Sequence, residues 1–203
     1  MEDWPVEEKW LERGRVSLCK FSPVPVPENE WNKSIKNLHA LSIKKNEYFI
    51  KAGDIPDKLA FIYRGIFRVF YLSESGSENT LVFRDEGRPL SAYSSFLENT
   101  GSRHYFQALE DSILLYIPFQ DWTELLSGHP CWQAVYAKYL QILFIEKENR
   151  ETEFLCNDAE TRYITFVNKY PQIAKRVPHY HIASYLGITP EALSRILKKS
   201  KLT

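Results

Sequence analysis

Cysteine is scarce in this chain of 203 residues: Cys19, Cys131 and Cys156 are widely spaced and odd in number. Without a Cys-x-x-Cys pair they do not suggest zinc, and three thiols fall short of the four that an iron–sulfur cluster usually takes. They are read as ordinary reduced thiols. No apolar run approaches the roughly 20 residues of a membrane helix. The start Met1-Glu2-Asp3-Trp4-Pro5 lacks the basic stretch of a signal peptide, so a cytoplasmic location is expected. Also missing are a glycine-rich phosphate loop, a Gly-x-Ser-x-Gly elbow and a His-Glu-x-x-His pair, so no catalytic constellation emerges. His39, His104 and His129 are isolated. His179 and His181, two apart at a helix start, read as surface polar groups or backbone and phosphate contacts rather than metal ligands.

Net charge is lacking too, since 26 basic residues balance 26 acidic ones. Position breaks that balance. Residues 160–203 carry eight Lys or Arg against Glu160 and Glu191, a net +6, which leaves −6 on residues 1–159. A basic end of this kind suits a polyanion. Hydrophobic residues at 44% and charged residues at 26% describe an ordinary globular chain, long enough for two modest domains.

Along the chain, residues 1–27 show little periodicity, and Pro23-Val24-Pro25-Val26-Pro27 interrupts helix and central strand alike, so an irregular arm is expected. From Glu28 the spacing of Trp31, Ile35 and Leu38 predicts a short amphipathic helix. Between about Leu41 and Pro118, short apolar runs (48–50, 59–63, 67–72, 80–83, 105–106 and 113–117) are separated by polar or glycine-bearing turns. This predicts an all-β sandwich, roll or small barrel. Residues 131–154 contain neither Pro nor Gly, and Trp132, Val135, Tyr139, Ile142, Glu146 and Asn149 repeat at alternating spacings of three and four, as in a helix seam that pairs with another helix. Trp132, Val135, Tyr139 and Ile142 are therefore expected at a homodimer interface. Packing of that helix on its own domain alone is the other reading. Asn157 with Glu160 resembles a capping box that opens a second, helical domain.

The sharpest signal is HYHIASYLGITPEALSRILK, residues 179–198. Ile182 and Leu186, then Ile188, then Leu193 and Ile196 occupy the apolar positions of a helix-turn-helix. Ala183 is small where helices cross, and Gly187 supplies the left-handed turn. Thr189 is placed to cap the second helix, and Pro190 suits its first turn. That helix would present Glu191, Ser194, Arg195 and Lys198 opposite Leu193 and Ile196. Arg donates in bidentate fashion to guanine and Glu accepts from cytosine, whereas Lys198, Lys199 and Lys201 suit phosphates.

HIASYLGITPEALSRILKK resembles the recognition unit of Crp/Fnr-type regulators, and YFIKAGDIPDKLAFIYRGIFRVFY (48–71) is similar to the opening strands of their cyclic-nucleotide-binding β-roll. The resemblance implies an α+β chain. Its parts are an N-terminal double-stranded β-roll of jelly-roll type (28–125) after the arm (1–27), a long dimerisation helix (126–156) and an all-α helix-turn-helix domain (157–203). It also implies double-stranded DNA as a partner and RNA polymerase as another if the protein activates. A Glu and an Arg that touch bases in the family match Glu191 and Arg195, while Pro190 stands where a further Arg is known.

In the phosphate-binding cassette, GRPLSAYSSFLENTGSRHYFQALED (87–111), no acidic residue lies between Gly87 and Leu97, and Arg103 follows Ser102 instead of preceding a hydroxyl residue. The resemblance thus implies no cofactor and argues against cyclic AMP. An unidentified small-molecule effector at Tyr93, Ser94, Ser95 and Arg103, or an unliganded pocket, remains. A ligand-sensing or interaction module that no longer binds DNA is the alternative function.

Overall fold

The computed structural model describes residues 2–4 and 6–200; the expectation for Lys201 lies outside them. Strand β1 (Glu2–Trp4) and helices α1 (Glu8–Phe21) and α2 (Glu28–Lys36) lead into β2 (His39–Ile43), β3 (Tyr48–Ile50), β4 (Lys58–Arg64), β5 (Phe67–Leu72), β6 (Glu78–Arg84) and β7 (Pro89–Leu90). Helix α3 (Tyr93–Glu98) precedes β8 (Tyr105–Ala108) and β9 (Ser112–Pro118). The helices α4 (Phe119–Ser127), α5 (Pro130–Cys156), α6 (Ala159–Lys169), α7 (Pro171–Arg176), α8 (His179–Leu186) and α9 (Pro190–Ser200) follow. Among the described residues no helix is long and apolar enough to cross a membrane.

The strands form two antiparallel sheets, one ordered β1-β2-β9-β4-β7 and the other β3-β8-β5-β6. Leu41, Ile43, Ile62 and Leu114 of the first pack with Phe67, Val69 and Phe106 of the second in one apolar core. This is the expected roll: residues two apart on a strand share a face, so each sheet turns one apolar face inward. Gly65, between β4 and β5, has φ +115°, and a Cβ there would collide with Ser112. Only glycine allows that tight passage from one sheet to the other.

The stretch 1–27 is not the irregular arm expected. β1 pairs with β2, Glu2 opposite Ser42 and Trp4 opposite Ala40, and α1 lays Trp10 and Leu18 into the domain. Trp10, Gly14 and Leu18 are four apart, so they share one helical face, and Gly14 faces Leu115, where even a Cβ would stand at an ordinary contact distance of 3.7 Å. Among the described residues of this stretch, Val6, Glu7 and the segment from Ser22 to Pro27 between α1 and α2 lie outside helix and strand.

Helix α5 starts with Pro130 at its first position, and the His129 side chain accepts the Cys131 N–H at 3.2 Å. Two of the residues expected at a dimer interface are covered by the chain itself. Trp132 and Val135 are buried with Leu18, Leu59, Ile117, Phe119 and Trp122, and the Trp132 Nε1–H donates to buried Glu30 at 3.2 Å. Tyr139 and Ile142 are half-buried against the same cluster. A periodic apolar stripe says that a helix face is covered, not what covers it, and here the roll and α1 occupy it. Further along, Glu146 turns inward to Arg84 at 2.8 Å and Arg88 at 2.9 Å. Burial works to raise its carboxyl pKa, but the two arginines outweigh that and hold it below the usual range.

The start of α6 is capped one residue later than expected. The Asp158 side chain, not that of Asn157, accepts the Thr161 N–H at 2.8 Å, while Asn157 ends α5. The four last helices share a core in which Phe166, Ile173, Ile182, Leu186 and Leu193 pack with Ile66, Phe83 and Leu109 of the roll. Roll and helical domain thus meet through one continuous apolar contact.

Candidate nucleic-acid interface

The turn between α8 and α9 follows from a few residues. Gly187 takes φ +69°, and a Cβ on it would stand 2.8 Å from the Phe154 ring. The position therefore requires both the left-handed backbone and the absence of a side chain. The Thr189 hydroxyl accepts the Ala192 N–H at 3.2 Å, and Pro190 opens α9 where its missing amide is not needed. Ile182, Ala183, Leu186 and Leu193 are buried between the two helices and the rest of the domain.

That packing fixes which face of α9 is presented. Glu191, Ser194, Arg195, Lys198 and Lys199 are all exposed. Backbone N–H donation at the helix start, followed by the Thr189 hydroxyl and the Arg195 charge, holds the Glu191 carboxyl below its ordinary pKa. Lys199 is paired with Glu160 at 2.7 Å, which raises its pKa. The result is one helix whose exposed face carries two kinds of chemistry: a planar fork donor beside an acidic acceptor, and the point cations of two lysines.

The C-terminal end of α8 is held by arginines that sequence reasoning had not singled out. Arg150 of α5 donates to the carbonyls of Tyr185 at 2.9 Å and Thr80 at 3.2 Å, and Arg162 of α6 donates to Leu186 at 3.1 Å. Cations suit the last carbonyls of a helix, which lack intrahelical partners. In sequence they are indistinguishable from solvated surface charges. His181, expected at the surface, is buried and receives Arg68 of β5 at its Nδ1, 2.7 Å away.

The four residues expected to form an effector pocket do not converge. Tyr93 packs among Phe96, Phe119 and Tyr136, with ring centres 5.6–5.8 Å away, and burial then Tyr136 drive its phenol pKa upward. Ser95 is buried in α3, Ser94 is exposed, and Arg103 points to solvent beside Glu98 at 3.2 Å. The aromatic cluster under α4 and α5 draws Tyr93 away, and the exposed Glu98 draws Arg103 outward.

Residues 40–129 match the family model of the cyclic nucleotide-binding domain. The anaerobic regulatory protein of Pasteurella multocida is 27% identical over 167 residues, which cover 76% of this chain and 60% of that protein. The fumarate and nitrate reduction regulatory protein of Vibrio cholerae is 27% identical over 169 residues, 76% of this chain and 66% of that one. The chain thus spans just under two thirds of the length of these curated relatives. The c-di-GMP responsive global regulator CLP of Xanthomonas campestris superposes with a TM-score of 0.70 at 14% identity, covering 87% of this chain and 92% of that one. A structure from Eubacterium rectale assigned to the Crp/Fnr family gives 0.69 at 17%, over 90% and 88%. At such identities these two solved structures establish the fold.

Proposed function

We propose that this chain is a transcriptional regulator of the Crp/Fnr type that binds duplex DNA by laying α9 in the major groove. One observation carries this reading: α9 buries Leu193 and leaves Glu191, Ser194, Arg195, Lys198 and Lys199 on an exposed face. Arg195 and Glu191 are assigned to base edges, Ser194 and Thr189 to the rim, and the lysines to phosphates. Selection from randomised duplexes tests it. The expected product is an inverted repeat whose half-sites lie about one helical turn, roughly 34–36 Å, apart. Failure to enrich any repeat overturns the reading in favour of an interaction module.

An inverted repeat calls for two copies, and the second half of α5 supports one mode of pairing. Leu140, Phe144 and Leu155, spaced by four and eleven, share one side of the helix and are exposed, with Ile145 beside them. A second copy packed there would cover an apolar stripe that the roll leaves open. Sedimentation is expected to give a dimer, and Phe144→Glu a monomer. A parent that sediments as a monomer at micromolar concentration removes the dimer. In vitro transcription with RNA polymerase on the selected site reads whether binding activates or represses.

For the roll, we infer that cyclic AMP is not its effector. Ala92 lies in the stretch between Gly87 and Leu97 that holds no acidic residue, and Arg103 faces solvent. Calorimetry is expected to give no submicromolar binding of cyclic AMP or cyclic GMP, and such binding of either would refute the inference.

A further inference from the structure

Within the apolar contact between roll and helix-turn-helix lies a small polar cluster. At its centre is Arg68, fully buried on β5. Its guanidinium donates to His181 Nδ1 of α8 at 2.7 Å, to Glu78 at 2.6 Å and to Gln107 at 2.8 Å, and stacks 4.0 Å from the centre of the Phe70 ring. A buried charge is tolerated only with such partners. His181 accepts the bond and so is neutral; burial, then the Arg68 charge, push its pKa down to about 4. One turn further along α8, the Ser184 hydroxyl accepts the Thr80 N–H at 2.9 Å and donates to the Glu78 carbonyl at 2.8 Å. Both partners belong to β6, the edge strand of its sheet, so α8 caps backbone groups that a bare edge would leave open. Arg176 of α7 adds ion pairs to Glu86 and Glu110 of the roll.

We propose that Arg68 is a positioning residue: by binding His181 it holds the helix-turn-helix on the roll in the orientation in which α9 reads DNA. The proposal rests on the DNA-reading function above and adds what sets the aim of α9. Three observations support it. First, the docked arrangement leaves the whole reading face of α9 exposed, so docking aims the helix without masking it. Second, strand alternation places Phe67 and Val69 in the core of the roll and Arg68 against α8. A shift of β5 driven from the roll core is thereby delivered to α8 at one side chain. Third, Arg68 Nε and Thr80 Oγ1 are buried without a partner among the described residues. Opening the contact returns both to water, which favours a releasable latch over a permanent weld.

The test uses the full chain and its selected duplex, with the two half-sites at the native separation or one base pair closer or farther. A latched dimer tolerates only its own separation. Arg68→Met and, from the other side, His181→Leu are each expected to weaken binding at the native separation by about tenfold and to flatten the dependence on separation. Unfolding of the roll should remain as in the parent. The double variant replaces the polar pair with an apolar one and is expected to restore both properties. A purely structural role would lower stability but leave the dependence on separation intact, and that outcome overturns the proposal. Tighter binding by either single variant overturns it as well, because the docked state would then be inhibitory. Should Arg68→Met fail to fold, His181→Leu alone carries the comparison. If the parent selects no duplex, the DNA-reading function fails. Hydrogen exchange in α8 then judges the latch by itself, and protection unchanged in His181→Leu rejects it.

Discussion

The two helices of the helix-turn-helix differ in how far they are enclosed. In α8, five of eight residues, His181, Ile182, Ala183, Tyr185 and Leu186, are buried, because the helix lies between β6, the turn to α9 and the arginines of α5 and α6. Among the described residues of α9 Leu193 alone is fully covered, and the polar side is exposed. A helix enclosed over most of its surface puts its sequence into stability and aim, whereas a helix with an open side can spare residues for a ligand. Substitutions in the two helices should therefore separate folding from binding.

The strongest break of that separation is expected inside α8. Ile182 has no exposed surface, and Ile182→Ala should cost roughly 2–5 kcal/mol of stability through lost burial and the cavity left behind. Calorimetry or denaturant unfolding measures it. A loss well under 1 kcal/mol would mean that α8 is less enclosed than described. Arg195→Ala gives the reverse pattern: binding to the selected site falls by about 1–3 kcal/mol with relaxed discrimination at one base. Stability should change by no more than about 0.5 kcal/mol, as for an exposed substitution. Should Arg195→Ala unfold the domain, the open side of α9 is not open.

A graded effect with pH sharpens the contrast again. The unfolded chain protonates His181 near 6.5, the folded one only near 4, because burial and Arg68 oppose the charge. Between those values the unfolded state binds more protons, so stability declines as pH falls from about 6.5 toward 4 and is unaffected by this group above that window. Carboxylates held low, such as Glu86 at about 2, add their own losses in acid. The difference between the parent and His181→Gln isolates the imidazole, and equal slopes for both proteins would contradict the buried neutral histidine.

These contacts also mark where reading the sequence stops. The six apolar runs from 48 to 117 lie in strands of the roll, and the residues of 179–198 form the two helices and their turn, because turn glycine, cap and burial pattern act within a few residues of one another. The helix α1 was hidden because its stripe is only Trp10, Gly14 and Leu18, and the glycine masks the period. Asp158 was missed as the cap because Asn157, one residue earlier, is an equally good capping type. Trp132 and Val135 had the spacing of a seam, and spacing is silent about whether a partner or the chain's own roll fills it. Arg68 and His181 lie 113 residues apart. Each is a lone polar residue with no local pattern, and only the docking of two domains brings them together.

The smallest effect concerns the lysines of α9, and it divides two residues that look alike in sequence. Lys199 is already paired with Glu160 at 2.7 Å, with the lysine 71% and the carboxylate 38% exposed. To reach a phosphate it must leave a carboxylate, so part of the gain from the new contact is offset. Lys198 is exposed and has no ion-pair partner among the described residues. A phosphate contact acts through counterion release, so Lys198→Ala should weaken binding to all duplexes about equally and reduce the salt slope by about one. Lys199→Ala should reduce the slope by less, and Glu160→Gln, which frees Lys199, should tighten binding to every sequence. Titrations of the three variants at several salt concentrations decide the matter. If Lys198→Ala and Lys199→Ala lower the slope equally while Glu160→Gln leaves it as in the parent, the pair with Glu160 does not persist in the free protein, and both lysines belong to the open side of α9 on the same terms.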